Sequence, residues 1–313
     1  MIIDERFIKD FVDNCLITDL MPNAQGIIEN IQLSNYIGEI VNNIIESAEE
    51  NIDTEILNNK IKYEIETALS DDEAKILNIF HLLSMSIHNY LVTKYADENS
   101  IYKKVLFNIS HFSLKLFQII FSLYLSGCIM GILSQIRVLY ENYIIFRFIG
   151  KYPILCEDYF EHAVYRKYSL LKEYWKELST EEEIKMNNIA KRHDDSFQTD
   201  YGWTYKIITK NNKRKIITML DDLNLDNYKS IDYKELYKVA NNYIHPSTFA
   251  VFHDKIVYGK LTKDYLKMAV ELMTDNIIYL MKFINCDKKE EILIKNVLYG
   301  LREDLHDEPQ IIR

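Results

Sequence analysis

The chain has 313 residues, 48% hydrophobic and 27% charged, which is enough material for one large core or two modest ones. Eight glycines and four prolines are too few for the turns of an all-β protein, so the composition calls for long helices. A net charge of −10 and a pI of 5.4 exclude nucleic-acid binding through the surface as a whole, and any polyanion site has to be local.

Cys15, Cys128, Cys156 and Cys286 show no C-x-x-C spacing and read as reduced thiols, most of them buried. The opening stretch MIIDERFIKDF lacks the basic start and apolar run of a secretory signal. Together these features predict a cytoplasmic protein.

Residues 25–48 set Ile28, Ile31, Ile37, Ile40, Val41, Ile44 and Ile45 near a 3.6-residue period, which predicts a helix. Ser70 and Glu73 have the spacing of a capping box. They open a helix through Ile76, Leu77, Phe80, Leu83, Ile87 and Leu91. ADENS, 96–100, is a polar connection. A long apolar helix or helix pair follows to about Phe148. GKYP, 150–153, closes it, and the next helix runs to about Leu178. Thr180 with Glu183 opens another.

The segment 192–215 has weak periodicity and dense polar residues, so it is expected to be a long loop with short helical pieces. Helices resume over about 213–223, 232–245, 262–285 and 287–304. The fold class expected is all-α, a multi-helix bundle, with an N-terminal helical region, 1–95, and a C-terminal helical core, 96–313.

Residues 116–135 carry no formal charge and are near the length that spans a bilayer. Gln118 and three serines interrupt the run, and Lys115 and Arg137 flank it, so a helix buried on all sides is the expectation. A membrane-associated protein, held through 116–135, is the minor alternative.

Three features carry candidate chemistry. The first is YKVANNYIHPSTF, 237–249. Proline pushes the residue before it out of the α region, so the helix should end near His245, where the negative helix terminus favours an imidazolium. Lys238 and Asn241 lie seven and four residues upstream on the same face. A cation, an amide and an imidazole suit phosphate-ester chemistry: charge for the phosphoryl group, a donor, and a proton carrier. A histidine that merely caps carbonyls fits the same pattern.

The second feature is QIRVLYENY, 135–143. Arg137 and Glu141 share a face of an otherwise apolar helix. A structural ion pair explains them, and so does a guanidinium aimed at an anion with Glu141 fixing its rotamer. The third is KIITKNNKRK, 206–215, with Lys206, Lys210, Lys213, Arg214 and Lys215 and no acid. It is either a solvated loop or a local RNA footprint, with Trp203 as a stacking surface. No metal-ligand spacing, P-loop, dinucleotide fingerprint or nucleophile elbow is present, so neither a metal nor another cofactor is expected.

RVLYENYIIFRFI, YFEHAVYRKYSLLKEYW, the Gly-Trp loop and YKELYKVANNYIHPS, in that order, resemble a bacterial family catalogued as a domain of unknown function, over about residues 100–255. The polar helix ending in histidine is also similar to the HEPN superfamily of helical proteins, many of them metal-independent ribonucleases of toxin–antitoxin and phage-defence systems. That resemblance implies a HEPN-like core, a dimer, an R-x(4–6)-H site and RNA as substrate. It also admits a partner protein of a defence system. His245 matches the histidine. No arginine stands at the motif's spacing before it and Pro246 follows it, so Arg137 would supply the guanidinium from another helix. HEPN-like proteins without the full motif are often binding modules, so a ligand-sensing or protein-interaction role is the alternative.

Overall fold

The computed structural model describes residues 71–97, 99–125, 129–175, 178–193, 195–208, 215–225, 233–244 and 258–306. Among these residues there are nine α-helices and no strand, so the protein is an all-α multi-helix bundle. The helix expected over 25–48 and the capping serine, Ser70, lie outside them.

The helices are α1, Asp71–Tyr95; α2, Ile101–Leu125; α3, Ile129–Lys151; α4, Cys156–Leu170; α5, Thr180–Arg192; α6, Ile216–Leu223; α7, Tyr233–Ile244; α8, Tyr258–Phe283; and α9, Lys288–His306. The chain forms two compact units. One draws its described residues from 1–95, 112–140 and 228–313, and the other from 96–111 and 141–227. Helices α2 and α3 each contribute residues to both units.

In the first unit, α1 packs on α8 and α9, and α8 on α9. Helix α8 explains the core: Tyr265, Leu266, Met268, Ala269, Leu272, Met273, Ile277 and Leu280 recur at helical spacing and all are buried. Asn276 Nδ2 donates to Ser113 Oγ across 3.2 Å, satisfying a buried amide. Two residues past the end of α8, Asn285 takes the left-handed conformation at φ 54°, a geometry that asparagine tolerates.

Glu290 of α9 is the polar centre of this unit. The Tyr90 and Tyr95 hydroxyls each donate to its carboxylate at 2.6 Å, and Lys94 forms an ion pair with it. Burial alone would raise the Glu290 pKa, but the bonds from Lys94, Tyr90 and Tyr95 together outweigh it and hold the group below its ordinary value. His81 of α1 is buried against Phe117 and Phe121. Burial lowers its pKa to about 4.

In the second unit, α4 packs on α5 and on two short 3-10 turns, Asp195–Gln198 and Gly202–Thr204. Pro153 opens a 3-10 turn, Pro153–Leu155, ahead of α4. After Leu170 the chain makes a π-helical turn, Leu171–Trp175. Helix α5 is capped one residue earlier than the sequence suggests. The Ser179 Oγ accepts from Glu182 N, and the Glu182 carboxylate accepts from Ser179 N at 3.0 Å. Glu183, the partner predicted for Thr180, is instead ion-paired with Lys172.

Gly202 is required by space: a Cβ there would lie 2.3 Å from the Phe197 carbonyl oxygen and 2.4 Å from that of Ser196. Trp203 fills the interior beside it, edge-on to Tyr159 at 4.9 Å and to Phe148 at 6.2 Å.

The apolar run 116–135 is divided between α2, which ends at Leu125, and α3, which starts at Ile129. Among the described residues one helix, Ile101–Leu125, is long and apolar enough to cross a membrane. Of its most apolar window 61% is buried within the protein, as in a core helix.

Candidate functional site on α3 and α7

Helix α7 is strongly two-sided. Tyr233, Leu236 and Ala240 are buried, while Lys234, Tyr237 and Lys238 face solvent. Tyr233, Tyr237 and Asn241 recur every four residues and so share one face. On α3, Arg137 and Tyr140 are three apart and share a face as well.

These two faces meet. Arg137 Nη1 donates to Asn241 Oδ1 at 2.7 Å, and the guanidinium carbon lies 4.2 Å from the centre of the Tyr237 ring. The Tyr140 and Tyr233 rings stack 5.3 Å apart, only 9° from parallel. A fork of donors on an aromatic face, beside an amide and next to exposed lysines, is suited to an oxyanion or phosphate.

The structure therefore brings together two of the sequence-predicted site residues, Arg137 and Asn241. Lys238 is exposed on the same helix. Glu141, one turn beyond Arg137 on α3, is half-buried. His245 lies outside the described residues, one position past the last residue of α7.

The basic segment fares differently. Lys210, Lys213 and Arg214 lie outside the described residues, and Lys215 is exposed at the start of α6. Lys206 Nζ sits 2.7 Å from Asp158 Oδ2, and this bond raises its pKa above the ordinary value. Its charge is thus largely met within the fold. Trp203 is 2% exposed and offers no face for a base to stack on, which corrects the expectation. Polar composition of the loop points to a surface indole, whereas Trp203 follows the close backbone approach at Gly202 and is interior.

A cluster that the sequence reading missed lies in the second unit. The side chain of His193, at the end of α5, is buried face to face with Phe197, ring centres 3.8 Å apart. Its Nε2 meets Glu161 Oε2 at 2.6 Å, and its Nδ1 is 3.7 Å from Asp158 Oδ1. Arg192 binds the other Glu161 oxygen at 2.8 Å. Asp158 and Glu161, three apart on α4, share a face, and that spacing was the available signal. Next to them His162 Nε2 donates to the Thr199 carbonyl at 2.9 Å, and burial lowers its pKa. The cluster pins the polar segment after α5 onto α4. Among the described residues no three His, Cys, Asp or Glu side chains are grouped so as to hold a metal ion.

The fold and this site define an all-α protein with a cationic, aromatic seam between two helices. Residues 103–256, which include both helices' contact residues, match the model of a family of unknown function (DUF5677). Comparison with curated proteins and with solved structures finds no match.

Proposed function

We propose that this is a HEPN-like bacterial defence or toxin-type protein, a metal-independent endoribonuclease whose site is built on α7. The observation that supports this reading is the hydrogen bond from Arg137 to Asn241, because it sets a guanidinium on the helix that leads to His245. In the reaction, the ribose 2′-OH attacks the adjacent phosphorus and the bond to the 5′-oxygen breaks, leaving a 2′,3′-cyclic phosphate and a 5′-hydroxyl. His245 carries the proton, and Arg137 with Lys238 offsets the charge that develops on phosphorus-bound oxygen. Lys210, Lys213, Arg214 and Lys215 are the candidates for holding the RNA backbone, and a homodimer would pair two such sites.

Purified protein is expected to cleave RNA in EDTA, with cyclic-phosphate ends. His245→Ala abolishes cutting while leaving the melting curve in place. Cutting that survives this substitution rejects the assignment.

A second reading is a non-catalytic module that senses an anionic ligand or a partner protein. The same contact supports it, because Arg137 is already engaged by Asn241 and Tyr237 within the fold. It predicts no RNA turnover and a thermal shift with an anionic ligand.

A further inference from the structure

On the face of α1 that carries Glu73, the positions that follow are large and apolar: Leu77, Phe80 and Leu91 are all buried. Ser84 stands in the middle of this stripe and is fully buried. The face of α8 that carries Lys263 has the same pattern. Val270, Ile277 and Met281 are buried apolar residues, and Thr274 among them is fully buried too.

These two faces meet. Lys263 Nζ lies 2.6 Å from Glu73 Oε1 at the start of both helices. Just past the end of α8, Asp287 N donates to the hydroxyl of Tyr95, the last residue of α1, at 2.9 Å. The helices therefore run parallel and are tied at both ends. Ser84 lies 11 positions after Glu73, and Thr274 lies 11 positions after Lys263. Eleven residues make about three turns, so both hydroxyls return to the faces that carry the ion pair, at one level of the seam.

A serine or threonine inside a helix can turn its hydroxyl back to the carbonyl four residues earlier. Ser86 does so to Leu82, and Thr93 to Asn89, on α1 itself. Ser84 Oγ and Thr274 Oγ1 make neither that bond nor any other among the described residues. A buried hydroxyl is costly without a partner. Two short side chains opposed between rows of large apolar ones leave space on the scale of a water molecule. The carbonyls of Phe80 and Val270, one turn back from the hydroxyls, each keep a second lone pair. With the two hydroxyls they supply the bonds that an enclosed water makes.

We infer that the middle of the α1–α8 seam is an internal water-binding site, with Ser84 Oγ and Thr274 Oγ1 as its ligands. The test counts enclosed water in the full chain by 17O relaxation dispersion, which detects molecules that stay bound for longer than the protein takes to tumble. A Ser84→Ala, Thr274→Val double variant, folded by circular dichroism, is expected to hold about one such molecule fewer than the parent. Thr274→Ser keeps the hydroxyl and should match the parent. Melting supplies a second readout with a definite sign. Thr274→Val is nearly isosteric. It lowers Tm by roughly 2–4 °C if it strands a bound water, and raises Tm if it only removes an unmet hydroxyl. Equal water counts in parent and double variant, or a Tm that rises in Thr274→Val, overturn the inference.

Discussion

Arg137 and Asn241 stand 104 residues apart in the chain and are joined by a hydrogen bond of 2.7 Å. Asn241→Asp turns the contact into an ion pair, which is expected to change stability by no more than about 1 kcal/mol at this half-buried position. The same change should weaken binding of a short RNA at least roughly tenfold, because the carboxylate repels phosphate and occupies the fork. Thermal melts and anisotropy titrations on one preparation check both halves. Equal affinity in parent and variant excludes the seam as the RNA contact.

Glu290 ties α1 to α9. Glu290→Ala leaves Tyr90, Tyr95 and Lys94 without their acceptor, and a loss of about 3 kcal/mol is expected. Glu290→Gln keeps an acceptor and removes the charge, so it should cost less, about 1–2 kcal/mol. The pH dependence follows from the sign of the shift. The folded-state pKa is depressed, so the contribution is complete above the ordinary value of 4.5 and is lost as pH falls through the folded value. Urea melts between pH 7 and pH 3 should show a shallower acid loss in Glu290→Gln than in the parent.

His81 acts in a higher pH window. Its folded pKa of about 4 lies below the ordinary 6.5, so between these values the unfolded chain binds the proton more readily. Stability is complete above pH 6.5 and falls on acidification, by about 3 kcal/mol once pH 4 is reached. His81→Phe, placed against Phe117 and Phe121, has no proton to gain. From pH 7 to pH 5 its stability should fall less steeply than the parent's, the remaining loss belonging to groups such as His162, whose pKa burial also lowers. A parallel decline in the two proteins would assign the acid sensitivity elsewhere.

Gly202→Ala tests the turn that buries Trp203. The added methyl meets backbone oxygens of Phe197 and Ser196, which cannot rotate away as a side chain would. A destabilisation of about 3 kcal/mol is expected, with a red shift in tryptophan emission as the indole reaches water. Normal emission and stability would show that the two turns do not need this close approach.

Helices were the most legible part of the chain. Their ends fell within a few residues of the expected positions at α6, α7, α8 and α9, because apolar period, caps and prolines act locally. The cap of α5 slipped by one residue: Ser179 and Thr180 both have an acid three positions on, and only the local geometry chooses between them. Trp203 and Lys206 differ from the expectation for another reason. Polar composition marks a loop, but it does not say which of its side chains another helix will bury or pair.

From the sequence alone came the all-α class, the faces of α3 and α7, and the kinds of side chain on them, since each of these depends on neighbours within two helical turns. Only the tertiary structure decided that Arg137 meets Asn241 and Tyr237, that His193 sits between Asp158 and Glu161, and that Trp203 is interior. Those contacts join residues remote in the chain, and helical periodicity carries no information about which faces pack together.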